Sequence, residues 1–259
     1  MGNYFENKLT YEQISFCHTN MVKVKEREIH AYNEILFYMD RGTPFLTESF
    51  SRQIERNTLV FIPKEKYHYF DNGKADTFER LKISFPDIPE FEDLHNIRII
   101  DKPDESIQFV LNKICTALKN EERYIALGAF LILLSEIAKM NTDISVTNGN
   151  NSQLVSECIE LINNNLKNGI SIEYISKKLN VSESTITHSF KKEMGISVHR
   201  YIQQKRMILA KKLIEAGEKP TKIYFDCGYT EYSAFYKAYC KMFGSSPSEG
   251  YGKNSRLTK

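Results

Sequence analysis

The sequence predicts an α+β chain of two unlike parts: a small antiparallel β-domain followed by two helices, then an all-α domain with two helix-turn-helix units joined by a long helix. Three observations carry this. Short β-rich runs, punctuated by turn signals, fill residues 29–85. One twelve-residue pattern occurs twice near the C-terminus, about 49 positions apart. Charge also divides between the halves: residues 152–259 hold 17 Lys+Arg against 10 Asp+Glu, and the remainder holds 18 against 23.

At 259 residues the chain can bury two separate cores. The polar run Thr147-Asn148-Gly149-Asn150-Asn151-Ser152 reads as the connection, which divides the chain into domain 1–145, linker 146–152 and domain 153–259. Only the second domain has the charge for a polyanionic partner. The five cysteines are scattered and odd in number, with no Cys-x-x-Cys pair, which argues against disulfide scaffolding and zinc knuckles. Met1-Gly2 with Glu6 completes neither a secretory signal nor a myristoylation motif. The most apolar run, Ile125 to Ile137, is too short to span a bilayer, so a cytoplasmic protein without membrane contact is expected.

In the first domain, Glu34 to Met39 is a strand stopped by Asp40-Arg41-Gly42-Thr43-Pro44, and Thr58 to Ile62 is a second strand stopped by Pro63. Phe78 to Phe85 alternates at period two after the turn Asp71-Asn72-Gly73. Such spacing suggests an antiparallel barrel or sandwich. Ile107, Val110, Leu111, Ile114 and Leu118 then recur at helical spacing, and Glu121 to Met140 is a second, more apolar helix. Residues 104–140 therefore offer either a dimerisation surface or a cover for the barrel.

Candidates for chemistry in this half are His30, Glu34, His68, Glu79 and His95. A metal strand would carry a His-x-His pair with a carboxylate close by, whereas Tyr67-His68-Tyr69 has one histidine. Single histidines of this kind are usually structural, so neither metal nor cofactor is expected. Phosphate loops and nucleophile elbows are missing from the sequence, and an enzyme is not expected. A small-molecule cavity remains, with Tyr32, Phe37, Tyr67, His68, Tyr69 and Arg80 as candidate lining.

In the second domain, Ser171 caps a helix bearing Ile172, Ile175 and Leu179, and Asn180-Val181-Ser182 ends it and caps the next. That next helix, Ser182 to Met194, buries Ile186 and Phe190 and stops at Gly195. Ser184, Thr185, Thr187 and His188 are left to read bases, with Ser182, Lys191 and Lys192 against phosphates. The second unit begins at Pro220, with a short helix over Thr221–Cys227, a turn at Gly228-Tyr229-Thr230 and a second reader over Glu231–Phe243. There Tyr232, Ser233, Tyr236 and Lys237 are the base readers, and Lys241 a phosphate contact. The spacer Ser197–Ala216 is about 30 Å long, close to the ~34 Å between successive major-groove faces. Arg200, Lys205 and Arg206 on it add candidate phosphate contacts, and Lys211 and Lys212 further positive charge.

At these residues the chain resembles the AraC/XylS-type transcription regulators. The resemblance covers residues 153–251 through Phe190-Lys191-Lys192-Glu193-Met194-Gly195, Tyr201-Ile202-Gln203-Gln204-Lys205-Arg206, Ala210-Lys211-Lys212-Leu213-Ile214, Gly228-Tyr229-Thr230-Glu231-Tyr232-Ser233-Ala234-Phe235 and Gly244-Ser245-Ser246-Pro247. A weaker likeness, from His30 to Phe85 with Ile62-Pro63 and His68, is to the family's cupin-like sensing domain. The resemblance implies a regulator, more often an activator, that binds double-stranded DNA, contacts RNA polymerase, forms a homodimer and answers to a small-molecule effector. Control by a protein partner and a cupin-type metal enzyme are the alternatives.

The sequence departs from the family pattern at several places. His188 stands where arginine is frequent, Tyr224 and Ser176 where alanine is usual, and Cys240 and Gly250-Tyr251-Gly252 where basic residues are usual. Weaker phosphate grip near the C-terminus and a short helix set further from the second reader are expected.

Overall fold

The computed structural model describes residues 5–20, 27–70, 78–91, 94–140, 152–167 and 169–249, and divides into two compact units, 1–150 and 151–259. The expected turn at Asp71-Asn72-Gly73, the linker before Ser152 and Gly250-Tyr251-Gly252 lie outside the described residues.

The first unit contains β1 (Glu6–Tyr11), β2 (Ile14–Thr19), β3 (Arg27–Glu28), β4 (Asn33–Tyr38), β5 (Thr43–Thr47), β6 (Ser51–Ile54), β7 (Thr58–Ile62), β8 (His68–Phe70), β9 (Arg80–Phe85) and β10 (Arg98–Asp101), then α1 (Glu105–Lys119) and α2 (Arg123–Lys139). Antiparallel ladders join these strands into a six-stranded sheet, β1-β2-β9-β4-β7-β10, and a four-stranded sheet, β3-β8-β5-β6. Among the described residues no ladder joins one sheet to the other, and the described strands form two facing sheets.

Period two assigns the faces. On β4, β7 and β9 the residues Ile35, Phe37, Leu59, Phe61, Leu81, Ile83 and Phe85 share one core with the inner faces of α1 and α2. The alternate residues Leu36, Tyr38, Val60 and Ile62 form a second core with Phe45, Ile54 and Phe70 of the smaller sheet. The larger sheet is thus covered on both sides, which is why β4 and β7 are buried along their whole length. The two helices are the cover that one expectation foresaw, with Ile107, Leu111, Ile114, Phe130 and Leu134 turned inward. Asp104 caps α1 by accepting from the Ile107 amide.

The second unit is helical: α3 (Gln153–Asn164), α4 (Ile172–Leu179), α5 (Glu183–Met194), α6 (Val198–Glu215), α7 (Pro220–Ile223) and α8 (Tyr232–Phe243). No described helix is long and apolar enough to cross a membrane. Serine side chains accept from backbone amides at the starts of α3, α4, α5 and α6, through Ser152, Ser171, Ser182 and Ser197. Asn180, Gly195 and Gly244 end α4, α5 and α8 in the left-handed conformation.

Two differences from expectation stand out. The helix expected over Thr221–Cys227 is α-helical only over Pro220–Ile223; turns then carry the chain to Gly228, after which the Tyr229 amide bonds back to the Tyr224 carbonyl at 3.1 Å. The other is α3, which the expected elements do not include, although Val155, Cys158, Ile159 and Ile162 fall at helical spacing and are buried.

Candidate functional site

Each half of α6 helps build one of the helix-turn-helix units. Its first turns contribute buried Val198, Tyr201 and Ile202, and Tyr201 meets Phe190 of α5 edge to face with centroids 5.4 Å apart. Its later turns place Met207, Ala210 and Ile214 in one core with Ile223, Cys227, Phe235 and Tyr239. The spacer is thereby shared by both cores.

In the first unit, α4 and α5 are held by a dense set of local bonds. Ser176, where alanine is usual, donates its hydroxyl to the Val181 carbonyl at 2.7 Å and ties α4 to the turn. Glu193 at the end of α5 accepts from both the amide and the hydroxyl of Ser152, clamping the start of α3. Ile186 and Phe190 face inward, while Ser184, Thr185, Thr187, His188, Lys191 and Lys192 are exposed.

Exposure alone does not free a side chain. The Ser182 hydroxyl accepts from the Thr185 amide and also bonds the Thr185 hydroxyl at 2.8 Å, and Thr187 donates to the Glu183 carbonyl at 2.7 Å. Ser184 and His188 therefore have the most available polar atoms on this face. Lys191 and Lys192 extend the face in positive charge.

In the second unit, Ser233, Tyr236 and Lys237 are exposed, and Lys241 continues that surface one turn on. Tyr232 is placed differently from expectation. Its half-buried ring packs on Phe235 at 5.8 Å and meets Tyr224 edge-on at 6.0 Å, so it belongs to the margin of the core. Tyr224 thus has an aromatic partner rather than the small neighbour an alanine would be. Ser233 holds Glu231 at 3.3 Å before α8, a position that carries negative charge beside the reader.

On the spacer, Arg200 is exposed as expected of a phosphate contact, whereas Lys205 lies half-buried with its ammonium 5.6 Å over the Tyr201 ring. Arg206 is a correction. It is half-buried, donates from Nη2 to the Ile170 carbonyl at 3.3 Å, and packs so closely on Gly228 that a Cβ there would lie 2.4 Å from Cζ. It joins the approach to α4 with the end of the α7 turn, and is occupied in the fold. Burial lowers its pKa and raises that of the neighbouring Tyr229 hydroxyl.

In the β-domain the candidate lining residues separate. Phe37 faces α1 and α2 and lies outside the space between the sheets, because it shares the face of Ile35. Arg80 and Lys82 alternate with Leu81 and Ile83, which share that helix-side core, and so fall on the inter-sheet face with Glu34. His68 begins β8 on the face of Phe70, which packs between the sheets; Tyr67 and Tyr69 are also buried. Tyr32 stacks on His30, with centroids 4.0 Å apart and rings 4° from parallel. The Glu65 amide bonds the His30 carbonyl, and the Lys64 amide bonds Asn33 Oδ1, drawing the turn before β8 onto the entry to β4. His30, Glu34 and His68 consequently meet as a buried group, with Lys82 Nζ 2.5 Å from Glu34 Oε1. His95 stays exposed, and Glu79 pairs instead with His18 at 2.8 Å.

Two helix-turn-helix units on a shared spacer, each with a polar and basic outer face, define a paired helix-turn-helix domain of the DNA-binding class. Residues 175–250 match the helix-turn-helix domain family. The "Probable transcriptional regulator LumQ" of Photobacterium leiognathi is 34% identical over 88 residues, covering 34% of this chain and 36% of that protein. The "Msm operon regulatory protein" of Streptococcus mutans is 30% identical over 104 residues, covering 40% and 37%. A solved "probable AraC family transcriptional regulator" from Rhodopseudomonas palustris is 27% identical and covers 39% of this chain and 97% of that one, with a TM-score of 0.37. The chain spans about a third of the length of the curated relatives it matches first.

Proposed function

We propose that the chain is a sequence-specific DNA-binding transcription regulator, a homodimer through residues 104–140, whose N-terminal β-domain senses an effector. The observation that carries the DNA-binding reading is the outer face of α5, where Ser184 and His188 lie open beside Lys191 and Lys192 at the length of a major-groove helix. Phosphate contacts from Lys191, Lys192, Arg200 and Lys241 would supply affinity, and base contacts from Ser184, His188, Ser233, Tyr236 and Lys237 discrimination. The division into a sensing domain over 1–145 and a DNA-binding domain over 153–259 belongs to the same proposal. Activation through RNA polymerase is the direction that the resemblance implies.

The test compares a bound promoter fragment with random DNA. His188→Ala is expected to weaken the promoter complex by about 1–3 kcal/mol more than the random one. Lys191→Ala is expected to weaken both equally and to reduce the salt slope by about one. Equal losses from His188→Ala on the two DNAs would remove its base-reading role.

A further inference from the structure

We propose that the β-domain holds one divalent first-row transition-metal ion between His30, Glu34 and His68. The three side chains come from the entry to β4, from β4 itself and from β8 of the opposite sheet, and each residue is more than nine-tenths buried. Their ligand atoms all lie within 4.8 Å of one another.

The hydrogen bonds on the far sides of the rings decide which atoms point inward. His30 Nδ1 lies 2.7 Å from the Tyr32 carbonyl and His68 Nδ1 lies 3.1 Å from the Lys66 carbonyl. A carbonyl can only accept, so both Nδ1 atoms carry hydrogen, and each ring turns its Nε2 toward Glu34. Backbone carbonyls orient metal-bound histidines in this same way.

Two of the three separations between ligand atoms fit a shared ion better than direct pairing, and the third, at up to 4.8 Å, closes as the rings move in on an ion. His30 Nε2 and His68 Nε2 stand 3.5 Å and 3.4 Å from the same oxygen, Glu34 Oε2. A charge-assisted N–H···O bond would draw these in to ~2.7–2.9 Å. Bonds of ~2.0–2.2 Å to a tetrahedral ion instead separate its ligand atoms by about 3.3–3.5 Å. His30 Nε2 is buried with no hydrogen-bond partner among the described residues, a costly arrangement unless something binds there.

Glu34 divides its two oxygens between different tasks: Oε1 meets Lys82 and Oε2 meets the imidazoles. A ligating carboxylate commonly has such an outer partner. Two imidazoles and one carboxylate suit zinc, cobalt, nickel or iron(II) rather than calcium or magnesium. Three protein ligands leave a fourth position for water or for a donor atom of an effector. The assignment stands whether or not the chain regulates transcription.

Untagged full-length protein, stripped with a chelator and titrated with Co2+, tests the site. The expected result is a set of visible bands of four-coordinate cobalt saturating at one ion per chain, without the near-ultraviolet band of thiolate ligation. Glu34→Gln and His68→Ala are expected to weaken Co2+ by more than the ~10–100-fold that loss of an outer partner costs. His95→Ala, at an exposed residue, is expected to bind as the wild type does. No cobalt bands at one equivalent, or undiminished binding in both variants, overturns the proposal. Should the variants fail to fold, X-ray absorption of the Zn2+-loaded wild type decides: nitrogen and oxygen ligands support the site, and sulfur ligands overturn it.

Discussion

The guanidinium of Arg206 fills the space that a side chain at residue 228 would need, since a Cβ on Gly228 would stand 2.4 Å from Arg206 Cζ. Gly228 also has φ +74°, where a side chain is strained whatever the space around it. Gly228→Ala is therefore expected to destabilise the helical domain by about 1–3 kcal/mol in thermal unfolding. Arg206→Ala is expected to lower the melting temperature and weaken DNA binding while leaving the salt slope unchanged, because its donor serves the Ile170 carbonyl. A slope reduced by about one would return Arg206 to the phosphate contacts.

Helix α2 is apolar on both sides. One side is spent on the core, and the other exposes Tyr124 at 76%, Ile132 at 55% and Leu131 at 43%. Such a stripe on a surface helix marks a contact. In the homodimer proposed above, Ile132→Lys is expected to convert the protein to monomer in sedimentation without lowering the monomer's melting temperature, since Ile132 lies outside the core. A wild type that sediments as a monomer at micromolar concentration would instead assign the stripe to a partner protein.

The first helix-turn-helix unit was legible because its determinants are local. Ser182, Ile186, Phe190 and Gly195 cap, bury and end one helix within 14 residues. The meeting of His30, Glu34 and His68 was not legible, because His68 lies 34 positions from Glu34 and meets it only through the packing of one sheet on another. His30 precedes β4 and His68 opens β8 of the other sheet, so no pair on one strand announces the group. Phe37 failed for a related reason. Alternation shows that it opposes Leu36, but which face the helices cover is a tertiary outcome. Arg206 looked like any basic residue on a solvated helix until Gly228 came within reach.

The Asp104 cap gives stability a sign with pH. The Ile107 amide, and after it the Ser106 hydroxyl, hold its carboxyl below the ordinary range. A depressed carboxylate contributes stability that is fully present above its unfolded pKa of about 3.9 and disappears as pH falls through the lower folded value. Asp104→Asn retains a cap but no charge, so it is expected to melt lower than the wild type at pH 7, with the gap closing toward pH 3. Thermal melts across that range check it; a gap of constant size would locate the effect elsewhere.

Tyr232 and Tyr236 sit one helical turn apart on α8 and are expected to respond in opposite ways to removal. The Tyr232 ring is engaged with Tyr224 and Phe235, so Tyr232→Ala should lower the melting temperature and weaken all DNA sequences alike through a loosened second unit. Tyr236 is 41% exposed and outside the core of Phe235 and Tyr239. Tyr236→Ala should leave the melting temperature within the error of a surface substitution, about 0.5 kcal/mol, while reducing the preference for the promoter over random DNA. The paired measurement separates packing from reading: if Tyr232→Ala spares stability and costs only preference, then Tyr232 turns its ring outward to the groove when DNA binds.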